Sequence, residues 1–425
     1  MKNPVILLVL YIFAMFQMQL LHTIQFLSYV DELVVLWALY YLIKNINGCR
    51  RYLYILLLII AISFYGIACN FSARIQTSWI PILTDVGNCF KVFVAYMGAS
   101  LYFRQNYSKS CFRVFIEKAS YFNYAFISLI LLFYFLNLFL DLDMSPDVRF
   151  GMKSYAFIYG GASKFSYIFF LILPVLTINY SIKKTRISQL FLFIALALWL
   201  TSLRSKVLVF VALYLILYIY TFVKKKKFKF NLYNVGLGLL ITFLILEDQF
   251  HVYMDGESSA RYFLLMNGIR TMHDYFPCGA GFGTFATDVA STYYSPLYYR
   301  YGMQYVYGLS PDDPKFSHDS YWPAIMGQFG FIGLVAFCVL IYLFLKDIVT
   351  LSKSNKTLKM VCVFFCVTQL ISSLASPVFF SFMTVWQVLF IALFINSGNK
   401  LPIKAKIRKL ILIRRMRNLL YNSPQ

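Results

Sequence analysis

Four arginines, one histidine and a run of alternating glycines are the residues of this chain that could do chemistry. Arg261, Arg270, the run Pro277-Cys278-Gly279-Ala280-Gly281-Phe282-Gly283-Thr284-Phe285 and His318-Asp319-Ser320-Tyr321 fall in one polar, aromatic-rich stretch, residues 247–320. Arg149 belongs to a short polar loop, residues 141–154, and Arg204 to the turn between two apolar runs, 190–203 and 207–223. A guanidinium stays charged and presents a rigid fork of donors that matches phosphate oxygens. Several such groups at one membrane surface point to an anionic lipid head group, most sharply a lipid pyrophosphate. The plainer role for each is to anchor the interface or pair with a local carboxylate. That role is weakest for Arg204, because charges held among apolar spans are functional by default. His318 lies just before an apolar span, and an imidazole with an ordinary pKa of about 6.5 suits a general base. A structural hydrogen bond is its competing role.

Gly279, Gly281 and Gly283 occupy alternate positions. The spacing is not a dinucleotide fingerprint, and no βαβ unit follows. Glycines so placed let the backbone turn tightly or approach another group closely, so they form either a turn beneath a site or a direct phosphate contact. Tyr293, Tyr294, Tyr298, Tyr299 and Tyr301 offer flat faces with polar tips, suited to sugar stacking or to packing of the loop itself. The chain has no HExxH segment and no outward histidine pair at ligand spacing, so no metal and no cofactor is expected.

These residues must be positioned by membrane helices. Of 425 residues 60% are hydrophobic and 13% charged, with a mean hydropathy of +0.68. Soluble domains average about 25% charged residues, so this composition marks a membrane protein. Backbone groups in lipid must bond internally, which predicts an all-α polytopic fold. We expect about twelve transmembrane helices: 4–22, 26–43, 53–70, 80–103, 121–140, 155–179, 188–203, 205–223, 231–247, 321–345, 360–378 and 381–397. The organisation is then 1–246 (nine helices), 247–320 (a large extracytoplasmic loop built of short helices and turns), 321–397 (three helices) and 398–425 (a basic cytoplasmic tail). Asp31 and Glu32 near its start make the second span the weakest. Residues 4–22 lack a small-residue cleavage site after them and read as a retained span.

The net charge of +22 does not indicate nucleic acid. Most basic residues fall in short loops between alternate spans, the positive-inside pattern, which puts both termini in the cytoplasm beside anionic lipid. The tail segment 400–417 mixes Lys/Arg with Ile/Leu and is expected to lie along the inner surface. Only Cys278 of the eight cysteines belongs to the outer loop, so no disulfide framework is expected. Asp85, Lys91 and Lys164 are a thin basis for a transporter or flippase, which would need midplane charges and paired broken helices.

The order of motifs resembles the bacterial O-antigen polymerase and O-antigen ligase superfamily. In that family an Arg, a Pro–Gly–x–Gly turn and a His-Asn-x-Tyr-like motif run into a Gly-rich helix. Here these read Arg261, Pro277 to Gly283, His318-Asp319-Ser320-Tyr321 and Gly327-Gln328-Phe329-Gly330-Phe331-Ile332-Gly333. Thr201-Ser202-Leu203-Arg204-Ser205 resembles the family's Ser-Arg turn, and Arg149-Phe150-Gly151 its Arg-x-Gly segment. Asp319 stands where Asn is common and Leu203 where Ser is common.

The resemblance implies a GT-C-like glycosyltransferase in the bacterial cytoplasmic (inner) membrane. Its donor would be a glycan on undecaprenyl pyrophosphate and its acceptor a hydroxyl on a lipid-linked repeat unit. Arg204 and Arg261 would bind the pyrophosphate, and His318 would take the acceptor proton. Arg149, Arg270, Gly279, Gly281 and Tyr321 would contact substrate. Pathway partners would be a flippase and a chain-length regulator, with membrane lipids around. Arg149-x10-Gly160 and Arg270-x10-Gly281 favour a polymerase over a ligase that transfers finished polysaccharide to lipid A core or protein.

Overall fold

In a computed structural model the structure describes residues 3–23, 27, 29–45, 50–140, 142–224, 259–352 and 355–398. The chain is an all-α polytopic protein. Seven described helical segments are long and apolar enough to cross a membrane: 50–73, 79–106, 109–140, 162–183, 205–223, 321–351 and 356–373. The helices that matter below are α1 (Pro4–Thr23), α2 (Val30–Lys44), α3 (Leu53–Ala73), α4 (Trp79–Asn106), α5 (Lys109–Leu140), α6 (Ala162–Lys183), α7 (Arg186–Leu200) and α8 (Ser205–Tyr218). After residue 258 come α9 (Ala260–Asp274), the short α10 (Asp288–Thr292) and α11 (Pro296–Arg300), then α12 (Tyr321–Leu351), α13 (Lys356–Ser373) and α14 (Phe382–Gly398). The expected ninth span, 231–247, and the basic tail 399–425 lie outside the described residues. Every other expected span contains a helix.

The second span is shorter than expected. Fifteen residues reach about 22 Å, against about 30 Å of hydrocarbon. Asp31 in its first turn is buried, and Lys91 of α4 donates to it at 3.0 Å. The acid thus sits at a helix N-terminus and beside a cation, two favourable electrostatic placements. Farther along, Gly98 of α4 lies so close to Ala38 that a Cβ there would collide with the Ala38 carbonyl. Small residues that let backbones touch are how helices associate in lipid, where burial alone supplies little drive.

Residues 259–320 fold into a unit with its own apolar centre, made by Leu264, Phe285, Leu297, Tyr298, Met303 and Leu309. It is built of the helix Ala260–Asp274 followed by short helices and turns. The glycine run attaches this unit to the bundle. Ala280 N–H donates to Gly327 O (2.9 Å) and Gly281 N–H to Gln328 O (2.7 Å). Phe282 N–H donates to Asn70 Oδ1 (2.8 Å), and Gly283 N–H to Asp85 Oδ2 (2.7 Å). The two carbonyls from α12 lie next to Gly330, where the helix breaks with φ 60° and ψ −157°. A broken helix leaves carbonyls without their own donors, and buried ones must find others. Here the glycine run supplies them.

Glycine is required on both sides of this contact. Gly279 (φ +77°) and Gly330 (φ +60°) face each other so closely that a Cβ on either would strike the other's backbone. Left-handed backbone costs a side chain about 1–3 kcal/mol even without a collision. Gly302 (φ +68°) has open space instead. Gly279→Ala and Gly330→Ala should therefore each lower the melting temperature in detergent by several degrees or abolish folded protein. Gly302→Ala should lose clearly less. Equal losses at all three would show that the loop–helix contact is not what holds the unit.

Candidate functional site

Arg204 is aimed by a tight reversal. Ser202 N–H and Oγ both donate to Trp199 O, and Leu203 N–H donates to Leu200 O. Leu203 takes φ +48°, uncommon for a branched side chain, and Arg204 then becomes the extended N-cap of α8. Beside it lies a hairpin of β1 (Asp147–Arg149) and β2 (Met152–Ser154). Phe150 and Gly151 form its turn, both with positive φ, as a two-residue hairpin turn requires. Arg204 Nη2 donates to Asp147 Oδ2 at 2.6 Å. Residues i and i+2 of a strand share a face, so Arg149 lies on the same side as Asp147. The hairpin is tied to the Arg204 turn by Tyr155 N–H donating to Thr201 O at 2.9 Å.

Arg261 and His318 form the second half. Arg261 Nε and Nη2 both donate to Asp319 Oδ2, at 3.2 and 2.6 Å. Asp319 thus supplies a counter-charge to Arg261. His318 is half-buried. Its Nδ1 is enclosed without a hydrogen-bond partner among the described residues.

The turn between α13 and α14 joins the halves. Ser376 Oγ accepts from Lys206 Nζ at 3.4 Å. Ser373 Oγ accepts from Trp322 Nε1 at 3.1 Å, and Phe379 and Phe380 pack against the Tyr321 ring.

No protein-family model and no curated protein matches the chain.

The expected site residues separate into groups. Arg204 and Arg149 belong to the hairpin side, where Arg204 holds Asp147, and Arg261 holds Asp319, the residue after His318. Arg270 does not join them. It is nine residues beyond Arg261 on α9, roughly 13 Å along the axis and on the opposite face, and it stacks over Tyr301 at 5.0 Å. Gly279 and Gly281 direct their N–H groups at Tyr275 O and Gln328 O, so the expected phosphate contact gives way to the alternative of a structural turn. Tyr321 is fully buried, and it supports the site from beneath. Among the tyrosines, Tyr294, Tyr298 and Tyr301 hydrogen-bond within the loop unit. Burial pushes the Tyr294 hydroxyl up to about 12 and raises that of Tyr298 further, so both stay neutral. Tyr293 and Tyr299 remain exposed.

Lys206 was missed from sequence, and Asp85 was read there only as a thin basis for a transporter. Asp85 is buried, accepting from Gly283 N–H and from Gln328 Nε2 at 2.8 Å, and it pins the glycine run. Lys206 lies 5.4 Å over the Tyr167 ring. Arg204 and Arg261 each have a carboxylate within 2.6 Å, whereas no carboxylate contacts Lys206 among the described residues. Its position two residues after Arg204, in a chain with few outward charges, was the available signal.

If this end of the bundle takes an anion such as a pyrophosphate, these differences predict how its binding responds to mutation. Lys206→Ala removes an uncompensated charge and should weaken binding roughly fivefold to tenfold, the effect of about 1 kcal/mol. Asp319→Asn removes the competitor for Arg261 and should strengthen binding severalfold. Titration of the purified protein with a short prenyl pyrophosphate reads both. Unchanged affinity in both variants would remove these side chains from the anion site.

Proposed function

We propose that the protein joins undecaprenyl-pyrophosphate-linked repeat units into O-antigen, capsular or exopolysaccharide at the outer face of the cytoplasmic membrane. What supports this reading is that neighbours of both halves meet at one turn, residues 373–380: Lys206, two residues after Arg204, donates to Ser376, and Trp322, four residues after His318, donates to Ser373. The residue pattern resembling the polymerase family supports the same reading. In this proposal the chain crosses the membrane twelve times with both termini inside, and residues 247–320 lie outside.

The chemistry follows from the side chains. The acceptor hydroxyl oxygen bonds to the anomeric carbon of the donor glycan, and the bond from that carbon to the pyrophosphate oxygen breaks. His318 Nε2, the ring nitrogen left open when Nδ1 is enclosed, takes the hydroxyl proton. Arg204 and Arg261 stabilise the charge that grows on the leaving pyrophosphate, where fixed donors act most strongly in the transition state. Lys206 supplies attraction for the substrate before reaction. Pyrophosphate is already a good leaving group, so no nucleotide is called for. Arg149, beside Asp147, positions the head group.

The test is the length of glycan from cells lacking the gene, complemented with wild type or His318→Ala at matched protein level. We expect a ladder from wild type and single repeat units from the variant. Long glycans left on the carrier lipid in the gene-deleted cells would instead make the protein a ligase. Repeat units trapped at the inner face would make it a flippase. A ladder from His318→Ala equal to wild type would remove the catalytic role of His318.

A further inference from the structure

The glycine run brings Cys278 against Cys69, and the chemistry proposed above uses neither thiol. Cys69 lies on the last turns of α3, between two residues that grip the loop. Tyr65 Oη, one turn before it, is within hydrogen-bond distance of Pro277 O and Cys278 O, both at 3.2 Å, and of Phe329 O at 3.1 Å. Asn70, the next residue, accepts from Phe282 N–H and donates Nδ2 to Phe282 O at 2.9 Å. Cys69 Sγ itself lies 2.8 Å from the Cys278 carbonyl oxygen. Backbone is thus fixed on both sides, with the Cys69 sulfur against the Cys278 main chain. A disulfide needs Cα atoms about 4.4–6.8 Å apart and Cβ vectors that converge, and a sulfur held this close to its partner's own carbonyl brings the two residues within reach of that spacing.

We propose that Cys69 and Cys278 form a site for a disulfide that clamps the glycine run to α3 beside the break in α12. Cys278 is half-buried and Cys69 buried, which sets the order of steps. The Cys278 thiolate attacks an external disulfide, of a small molecule or a dithiol protein, and expels one thiolate. Cys69 then attacks the Cys278 sulfur of that mixed disulfide and expels the second. Two thiolates leave, and they take up the two protons lost from the cysteines, so electrons and atoms balance. The site is a property of the fold and does not rest on the transferase reading.

The experiment uses the full chain, purified in detergent, reduced, and incubated with oxidised glutathione. Free thiols are then alkylated, and the digested protein is analysed by mass spectrometry without reduction. We expect the Cys69 peptide joined to the Cys278 peptide, with no retained glutathione, and a higher melting temperature than that of the reduced protein. In Cys69→Ser, Cys278 should keep its glutathione, because nothing is present to expel it. If the wild type instead shows Cys278 carrying glutathione, or both cysteines alkylated, the proposal is overturned. That wild-type result decides whether or not the variant folds.

Discussion

Four consecutive backbone N–H groups, those of residues 280–283, are the constraint on which the rest of this structure depends. Each must be satisfied once the loop is buried, since an orphaned buried donor costs about 1–3 kcal/mol. Their acceptors come from three different helices: Gly327 and Gln328 on α12, Asn70 on α3 and Asp85 on α4. The unit of residues 259–320 is thereby fixed to the bundle at a broken helix. Arg261 lies at one end of this unit and His318 at the other, so the same contact sets where both face. Loosening it would move the arginine and the histidine together.

Charge compensation is the second organising feature. In a bundle of low dielectric an unpaired guanidinium is expensive, and Arg204 and Arg261 each hold an aspartate at 2.6 Å. The pairs keep the cations in place without substrate, but they also compete with it. Lys206 differs, lying over Tyr167 and beside Ser376, a setting that favours a cation without neutralising it. In the proposed function, an anion arriving at this end of the bundle would meet one half-buried lysine without a carboxylate among the described residues and two exchangeable arginines. Two other charges in the helices have partners within the protein: Lys91 pairs with Asp31, and Asp85 accepts from the glycine run.

Much of this was legible in the sequence because membrane helices announce themselves by run length and composition. Near-continuous apolar runs such as 321–345 gave helices close to their expected bounds. Fixed residues at tight places were also visible: alternating glycines implied close approach, and the structure shows what is approached. Other features depend on partners far apart in the chain, which periodicity does not report. Asp85 lies about two hundred residues before Gly283, and nothing near it marks it as an acceptor. The opposite faces of Arg261 and Arg270 follow only once one helix, Ala260–Asp274, is known to carry both. The short second helix was foreshadowed by Asp31 and Glu32, but its burial beside Lys91 was not. Cys69 and Cys278 were assigned to different parts of the protein, and only the docked loop brings them together.

The central claim is that this end of the bundle transfers glycan from lipid pyrophosphate. The most direct measurement is reconstitution of the purified full chain in vesicles with a synthetic polyprenyl-pyrophosphate-linked repeat unit, following glycan length and released polyprenyl pyrophosphate together. The account predicts lengthening glycans, with one lipid pyrophosphate released for each linkage formed and both lost in His318→Ala. Release of lipid pyrophosphate without lengthening, or no reaction by folded wild-type protein that binds the substrate, would contradict it.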